Sequence, residues 1–353
     1  MKPGIPLFFA FRHFRKSRRL ISAATSVALS LIPLILVLVI TNGMIEGITR
    51  RYVEVGTYHL QAQGFDEQLE KDEALALAGE LKRLKGVLVA VPEYKGTALA
   101  YSEKGRTGVS VRAVPGERYE EDSLFREFMT FSAGSFDLAE RDSVILSTGV
   151  AESLSAGVGD RIKLLTAMSV PGRASAVIKP SILTVTGVFS SGYQELDALT
   201  VYVNFDKGAS LFRDSSNLII GIKLDSADVN SLNSPTLNRM RWIISGALPQ
   251  GFYVYTWYDL EKSLYKSLVT TKNLLVFIMV LILCVASVNI SSALIMLVTE
   301  NSQAIAILKS TGGSPNLITQ SFLLTGFIIG FAGTAAGLLI GLLISVNINP
   351  LIQ

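Results

Sequence analysis

Three stretches without a single charged residue, at 20–45, 273–299 and 317–353, set the limits on how this chain of 353 residues can fold. Each is longer than the roughly 20 residues a helix needs to cross about 30 Å of hydrocarbon. The last two are long enough to tilt or to protrude from a bilayer. They account for an apolar content of 49% and a mean hydropathy of +0.43, both high for a soluble chain. The expectation is three spanning helices, at 20–45, 272–298 and 317–346. A cleavable leader is the alternative for the first. Its apolar run exceeds the usual leader core of about 7–15 residues, and no small-x-small cleavage site precedes Glu46.

Lys2, Arg12, Arg15, Lys16, Arg18 and Arg19 precede the first run with no carboxylate among them. Such a bias holds a flank in the cytoplasm, so the N-terminus is expected inside, residues 46–271 outside and the 299–316 loop inside. The net charge of +3 is mostly this cluster and reads as topology and contact with anionic lipid, not nucleic-acid binding. Phe8, Phe9, Phe11 and Phe14 interleave with Arg12, Arg15 and Lys16, which predicts an amphipathic helix over 1–19 on the inner leaflet. The single cysteine, Cys284, lies within the second run, so the chain can form no internal disulfide.

The 46–271 region alternates helix and strand signals. A strand is expected at 58–63, a helix at 66–85 ended by Gly86, and a strand at 87–91. The order recurs as a helix at 235–248, a Pro249-Gln-Gly251 break and a strand at 252–257. The two entry regions are therefore expected to build one membrane-proximal α+β part from about 52–108 and 206–258. Between them, alternating runs at 109–114, 144–146, 161–165, 182–189 and 199–203 predict a β-rich insert over about 109–205. Its 166–179 loop is polar, with Met168, Val170 and Pro171 near the tip, either a plain hairpin connection or a docking element. From Asp259 a helical pattern runs without a breaker into the second span, as a stalk over 259–271.

The loop at 299–316 places Ile305, Ile307 and Leu308 among polar residues, with Gly312, Gly313 and Pro315 behind them. A short amphipathic helix between two spans is offered to something outside the bilayer. In the third span Gly326, Gly330, Gly337 and Gly341 recur at four- and seven-residue spacing with Gly333 close by. Small residues so spaced admit a close helix, either within the subunit or as a face moving against a partner. Asn289 and Ser291 are polar points of helix packing.

No enzyme signature is present: no G-x-x-x-x-G-K-[ST], no H-E-x-x-H and no G-x-S-x-G. Gly157-Val-Gly159 precedes a strand and reads as a turn. His13 and His59 fall on opposite sides of the membrane, so they cannot share a metal, and His59 reads as structural. The run Glu120-Glu121-Asp122 reads as a solvated turn. The chain is expected to have no catalytic residues, no metal and no cofactor of its own.

Several motifs together resemble a family. Phe9-Ala-Phe-Arg12 with the basic cluster, Val39-Ile-Thr-Asn-Gly-Met44, Lys272-Asn-Leu-Leu275, the run from Asn289 to Glu300, Ile305-Ala-Ile-Leu-Lys309, Gly312, Ser314-Pro315 and Asn347-Ile-Asn-Pro350 are similar to ABC transporter permease subunits of the FtsX/MacB type. Tyr193-Gln-Glu195 and Trp257-Tyr-Asp-Leu260 also fit, and within the family the look is of the lipoprotein-releasing LolC/LolE subunits.

The resemblance implies an α+β membrane protein with a large extracytoplasmic α+β domain inserted between the first and second spans, in the bacterial inner membrane. It implies that the 299–316 loop is a coupling helix, with Glu300, Ile305, Ile307, Leu308, Lys309, Gly312 and Ser314 docking a separate LolD-like ATPase that binds ATP and Mg. It places a hook at about 166–180 (Met168, Val170, Pro171) that recruits a periplasmic LolA-like lipoprotein carrier. It implies a second permease subunit, itself or a paralogue, and an acylated lipoprotein substrate. The acyl chains would enter a cavity between the first two spans, lined by Leu31, Leu34, Leu38, Val276 and Met279.

The family has a fourth span, whereas this chain stops at Gln353 after the third. Its coupling segment carries Asn301, Ser302, Gln303 and Ala304 where further charges are usual. The alternative within the family is an FtsX-like subunit that transports nothing and relays motion to a periplasmic cell-wall hydrolase.

Overall fold

In a computed structural model, residues 18–64, 70–168, 177–212, 217–226, 228–229, 234–300, 302–310 and 315–347 are described. The predicted N-terminal amphipathic helix, the tip of the 166–179 loop with Val170 and Pro171, and Gly312 and Ser314 lie outside them. The chain divides into two units, 1–45 with 266–353, and 46–265.

The first unit is helical. Helix α1, Arg18–Arg51, begins in it and runs on past the charge-free stretch into the second unit. Among the described residues three helices are long and apolar enough to cross a membrane.

The second unit is built on one ten-stranded sheet. After α1 come a single π-turn at Tyr52–Thr57, β1 (Leu60–Gly64), α2 (Lys71–Lys82), β2 (Val87–Tyr101) and β3 (Arg106–Val114). Two short helices follow, α3 (Arg118–Glu121) and α4 (Ser123–Glu127), then β4 (Thr130–Gly134), β5 (Ser143–Ser147), α5 (Thr148–Leu154), β6 (Arg161–Met168) and β7 (Val177–Ser190). The unit closes with α6 (Gln194–Asp197), β8 (Thr200–Asn204), α7 (Phe205–Leu211), β9 (Leu218–Leu224), α8 (Pro235–Ala247), β10 (Phe252–Thr256) and α9 (Trp257–Leu260). Helix α10, Lys262–Glu300, then runs unbroken to the 299–316 loop, where α11 (Ser302–Ser310) precedes α12 (Pro315–Val346).

The strand order is β10-β1-β9-β2-β3-β8-β5-β7-β4, with β6 bridging β2 and β7. So the strand that follows helix α1 pairs antiparallel with the strand that precedes α9 and α10, Leu60 opposite Thr256 through Gly64 opposite Phe252. Strand alternation gives each face its own chemistry. Leu60, Ala62, Ala90, Ile220, Ile222 and Val254 share one face, covered by Leu77, Ala78 and Leu81 of α2 and Leu237, Met240 and Ile244 of α8. Farther along the sheet Val109, Val111, Val144, Leu146, Val201 and Val203 form a second apolar cluster with α5 and α7. The other face carries an aromatic cluster of Phe125, Phe189 and Tyr202 with Val55 of the π-turn.

Local signals explain several elements. Helix α2 opens with a reciprocal capping box between Glu70 and Glu73, and α8 opens on Ser234, whose hydroxyl accepts from Leu237 N, with Pro235 at its first position. Strand β2 runs ten residues past the expected 87–91, because Pro92, Glu93, Lys95 and Gly96 hide the alternation that continues through them.

Candidate functional site

The first helix does not end where its charge-free run ends. It continues to Arg51 and then widens into the π-turn, which closes with Tyr58 N donating to Val53 O at 2.8 Å. Such widened turns concentrate at functional positions. Tyr58 follows at φ 72°, a conformation that a bulky side chain keeps only when its surroundings impose it. Its ring lies on Gly221, where any side chain would collide with it, and its hydroxyl donates to Glu93 Oε2 at 2.6 Å.

Behind Tyr58 lies a buried set of charges, Glu54, Glu93 and Asp122 against Arg112, Arg118 and Lys223, whose formal charges cancel. Arg112 makes a two-point pair with Glu93, Nε to Oε1 at 2.5 Å and Nη2 to Oε2 at 2.7 Å, and its Nη1 donates to Val55 O within the π-turn. Tyr202 donates to the same carbonyl at 3.1 Å. Lys223 Nζ lies 2.6 Å from Glu54 Oε2 and 2.5 Å from Asp122 Oδ2. Arg118 Nη1 is 3.4 Å from Glu93, while its Nε and Nη2 have no hydrogen-bond partner among the described residues. Its guanidinium instead sits 4.0 Å from the Phe125 ring centroid and 4.7 Å from that of Tyr58, an arrangement that holds a cation against aromatic faces. His59 accepts from Leu224 N through Nδ1 and approaches Glu54 with Nε2 at 3.7 Å, which is the structural role expected of it.

Burial drives the Glu93 carboxyl upward, but the charge and hydrogen bonds of Arg112, with Arg118 and Tyr58 behind them, outweigh it and hold it below the ordinary carboxylate range. Burial pushes the Tyr58 and Tyr202 hydroxyls up, and the neighbouring cations only partly offset this. Burial likewise lowers Lys223, with Glu54 and Asp122 opposing. Buried ion sets of this kind cost desolvation comparable to their attraction, so what they contribute is a defined geometry more than net stability. Here that geometry is the path of the chain from the first helix into the sheet.

Two motifs from the sequence close on the same turn. The Tyr193 ring is 6.1 Å from that of Tyr52, and Leu196 packs against Gly56. Burial and its bond to Glu195 push the Tyr193 hydroxyl up to about 12. Arg51 Nη1 donates to Ser191 O at 3.1 Å beside Gly192, whose φ of 69° and contact with Arg51 admit only glycine. Trp257, Tyr258 and Tyr265 share an apolar cluster with Val53, so the segments at 52–57 and 257–265 pack together within the second unit.

The acidic run at 120–122 is a correction. Glu120 and Glu121 are exposed, but Asp122 is buried, caps α4 by accepting from Phe125 N, and pairs with Lys223. Sequence reasoning missed the whole ion set. The available signal was a single charge on the inward side of otherwise apolar strands: Lys223 in Leu-Ile-Ile-Gly-Ile-Lys, and Arg112 in Val-Ser-Val-Arg-Ala-Val.

The other candidate residues fall in separate places. Glu300 ends α10, and Ile305, Ile307, Leu308 and Lys309 lie on α11, where Ile307 is 65% exposed. Met168 ends β6. Of the glycine stripe, a side chain at Gly333, Gly337 or Gly341 would meet Ala24 O at 2.6 Å, Ala28 O at 3.0 Å or Ile35 at 2.9 Å, so these three seat α12 against α1. Gly330 has nothing within 4 Å, and Gly326 lies a turn earlier. Leu31 is on this seam too, its Cβ 3.0 Å from where a Gly337 side chain would start. Leu34, Leu38, Val276 and Met279 are half-buried. Among the described residues no group of His, Cys, Asp and Glu could hold a metal ion.

Residues 21–234 match the MacB-like periplasmic core domain, and residues 276–353 the FtsX-like permease C-terminal domain. The chain is 29% identical over 332 residues to the lipoprotein-releasing system transmembrane protein LolC of Neisseria meningitidis, covering 92% of this chain and 77% of that protein. It is 25% identical over 354 residues to LolC of Xylella fastidiosa, covering 97% and 82%. It is 24% identical over 269 residues to LolE of Haemophilus influenzae, covering 74% and 63%.

Proposed function

The chain belongs to the MacB-like periplasmic core domain family and carries an FtsX-like permease C-terminal region, and from this we propose that it is a permease subunit of an ABC transporter that lifts lipoproteins out of the inner membrane. A separate ATPase, holding ATP and Mg, drives it through α11, with Glu300, Lys309, Gly312 and Ser314 around the docking surface. The N-terminus and the 299–316 loop are cytoplasmic and the sheet-bearing unit is periplasmic, inserted between the first and second of the spans. A soluble carrier takes the acyl chains near Met168, Val170 and Pro171.

The observation that carries this reading is that similarity to lipoprotein-releasing relatives runs through both units, over 92% of the chain in one case. The architecture agrees with it. Burying an acyl chain is worth about 0.8 kcal/mol per CH₂, so extraction needs an external energy source and a mechanical link to it. Helix α10 joins the sheet to the α11 loop without a break, and α1 enters the sheet at a joint fixed by buried charges.

The full chain, purified from its native membrane, should carry an ATPase and acylated proteins identifiable by mass spectrometry. Ile307→Asp should reduce the co-purified ATPase at least about tenfold, because a charge replaces the exposed apolar residue of α11. A cell-wall hydrolase in place of lipoproteins would favour the FtsX-like relay. No ATPase with either form would overturn the permease reading.

A further inference from the structure

Helix α10 carries its charges at the wrong end for a span that enters the membrane from the periplasm. Lys262, Lys266 and Lys272 lie in its first turns, and the next charge is Glu300, at its other end. In the orientation proposed above, the lysines are outside and the carboxylate inside. Spans are ordinarily held by lysine and arginine on the cytoplasmic side, so this helix works against the bias that orients it. The N-terminal basic cluster sets the topology, and the three lysines oppose it. They answer to something other than topology.

These lysines are available for contact. Lys71, Lys82, Lys207 and Lys223 each pair with a carboxylate, whereas Lys262, Lys266 and Lys272 form no ion pair among the described residues. Lys262 and Lys266 are exposed and Lys272 is half-buried. No carboxylate occurs between Glu261 and Glu300, and Glu261 is engaged by the Tyr52 hydroxyl. The hydroxyls of Thr270 and Thr271 turn back to the carbonyls of Lys266 and Ser267 at 2.8 and 3.1 Å, leaving the amines as the charged groups of this flank. The apolar window within 262–285 has no residue buried in the chain.

Helix geometry fixes how far each amine stands from hydrocarbon. The charge-free run starts at Asn273, so with a rise of about 1.5 Å per residue Lys272 sits at its edge, Lys266 roughly 9 Å above it and Lys262 roughly 15 Å. The headgroup layer is about 5–8 Å deep on each side. Lys272 lies within it, and Lys266 reaches back into it along its flexible stem. Lys262 stands beyond it by about one Debye length, roughly 8 Å, so it acts at a distance.

We infer that the outer flank of α10 is a contact for anionic phospholipid, with Lys266 and Lys272 on the headgroup phosphates and Lys262 drawing further negative charge toward them. The inference deepens the permease reading and rests on it for which leaflet the lysines face. Its consequence is an anionic lipid held at the periplasmic rim of the second span.

The test is photolabelling of the full chain in phosphatidylcholine nanodiscs, by phosphatidylglycerol and phosphatidylcholine probes that share one photoreactive acyl chain. Each lysine near an anionic surface contributes about fivefold, so the glycerol probe should label 262–285 at least about tenfold more than the choline probe, counted by mass spectrometry. Lys266→Gln with Lys272→Gln should bring the two probes within about twofold of each other, while Lys266→Arg with Lys272→Arg should keep them apart, since arginine also binds phosphate. Equal labelling of the native chain, or a difference that survives the glutamine pair, overturns the inference. So does a difference lost with both pairs, which is what a purely structural role would give. A preference present only while other proteins co-purify assigns the lysines to a protein partner and also overturns it. The leaflet is read separately. In a Cys284→Ser background, which removes the only native thiol, Ser263→Cys should react with a membrane-impermeant maleimide in intact spheroplasts. Reaction only after lysis overturns the orientation in the permease reading and this inference with it. Reaction in intact spheroplasts with no lipid preference overturns this inference alone.

Discussion

Replacing Glu93 by Gln tests whether the buried charges fix the joint. Glu93 is fully buried and accepts from Tyr58 at 2.6 Å and from Arg112 at 2.5 and 2.7 Å, with Arg118 at 3.4 Å. Gln keeps the shape but turns an amide donor toward one of these donors and leaves two guanidiniums without a counterion. Breaking a buried ion set from one side costs about 3–5 kcal/mol. For a unit of about 220 residues each kcal/mol moves the melting temperature by roughly 2–4 °C, so the loss should be about 6–20 °C. The assay is thermal unfolding of the full chain in nanodiscs, followed by the fluorescence of buried Trp257 with Trp242→Tyr removing the only other tryptophan. The pH dependence carries a sign. Because the folded-state carboxyl is held low, its contribution is fully present above the unfolded value near 4.3 and disappears as pH falls through the folded value. The gap between native and variant should be constant from pH 7 to about 5 and close below about 4. A variant within 3 °C of the native chain at pH 7, or a gap that persists unchanged to about pH 3, would refute the reasoning.

Gly337→Leu should break the seam between α12 and α1, since even a Cβ there meets Ala28 O at 3.0 Å, and should at least halve the yield of folded protein by size-exclusion chromatography, whereas Gly330→Ala, facing open space, should leave it unchanged. A disulfide between Gln63→Cys and Tyr253→Cys, which are register partners across β1 and β10, should leave lipoprotein release within about twofold of the reduced protein. Loss of release that returns on reduction would show that the two strands slide in the working cycle.

How legible this was from sequence depended on whether a residue's burial follows from its own type. The apolar runs announced their helices, because nothing but length and charge decides them. Most strands were visible as alternation, and the α2 and α8 helices were bounded by Gly86 and by Pro249-Gln-Gly251. The joint was not visible, because it is made of residues that ordinarily face water. Arg118 and Lys223 are 1% and 0% exposed, and Asp122, read as part of a solvated turn, is 1% exposed. Each is buried only because partners 25 to 169 residues away arrive beside it, and local pattern carries no record of that. The first helix was ended at Ile45 because Glu46, Arg50 and Arg51 follow. Its continuation is set by tertiary contacts, Arg51 with Ser191 and Phe128 among them.

The pairing of β1 with β10 constrains how force passes through the molecule. Five register pairs tie the strand after helix α1 to the strand before α9, and Trp257 N donates to His59 O at 3.1 Å just beyond them. The segments at 60–64 and 252–256 therefore cannot part without breaking a ladder that has the rest of the sheet behind it. Between helix α1 and that ladder the chain has only the turn at 52–57 and residues 58 and 59 in which to bend. That turn is held by side chains more than by regular helix geometry, since Arg112 and Tyr202 both donate to Val55 O while Lys223 holds Glu54. A buried polar network satisfied in this way is rigid, because any displacement leaves a buried group unpaired. The buried ions thus make the joint stiff against small forces.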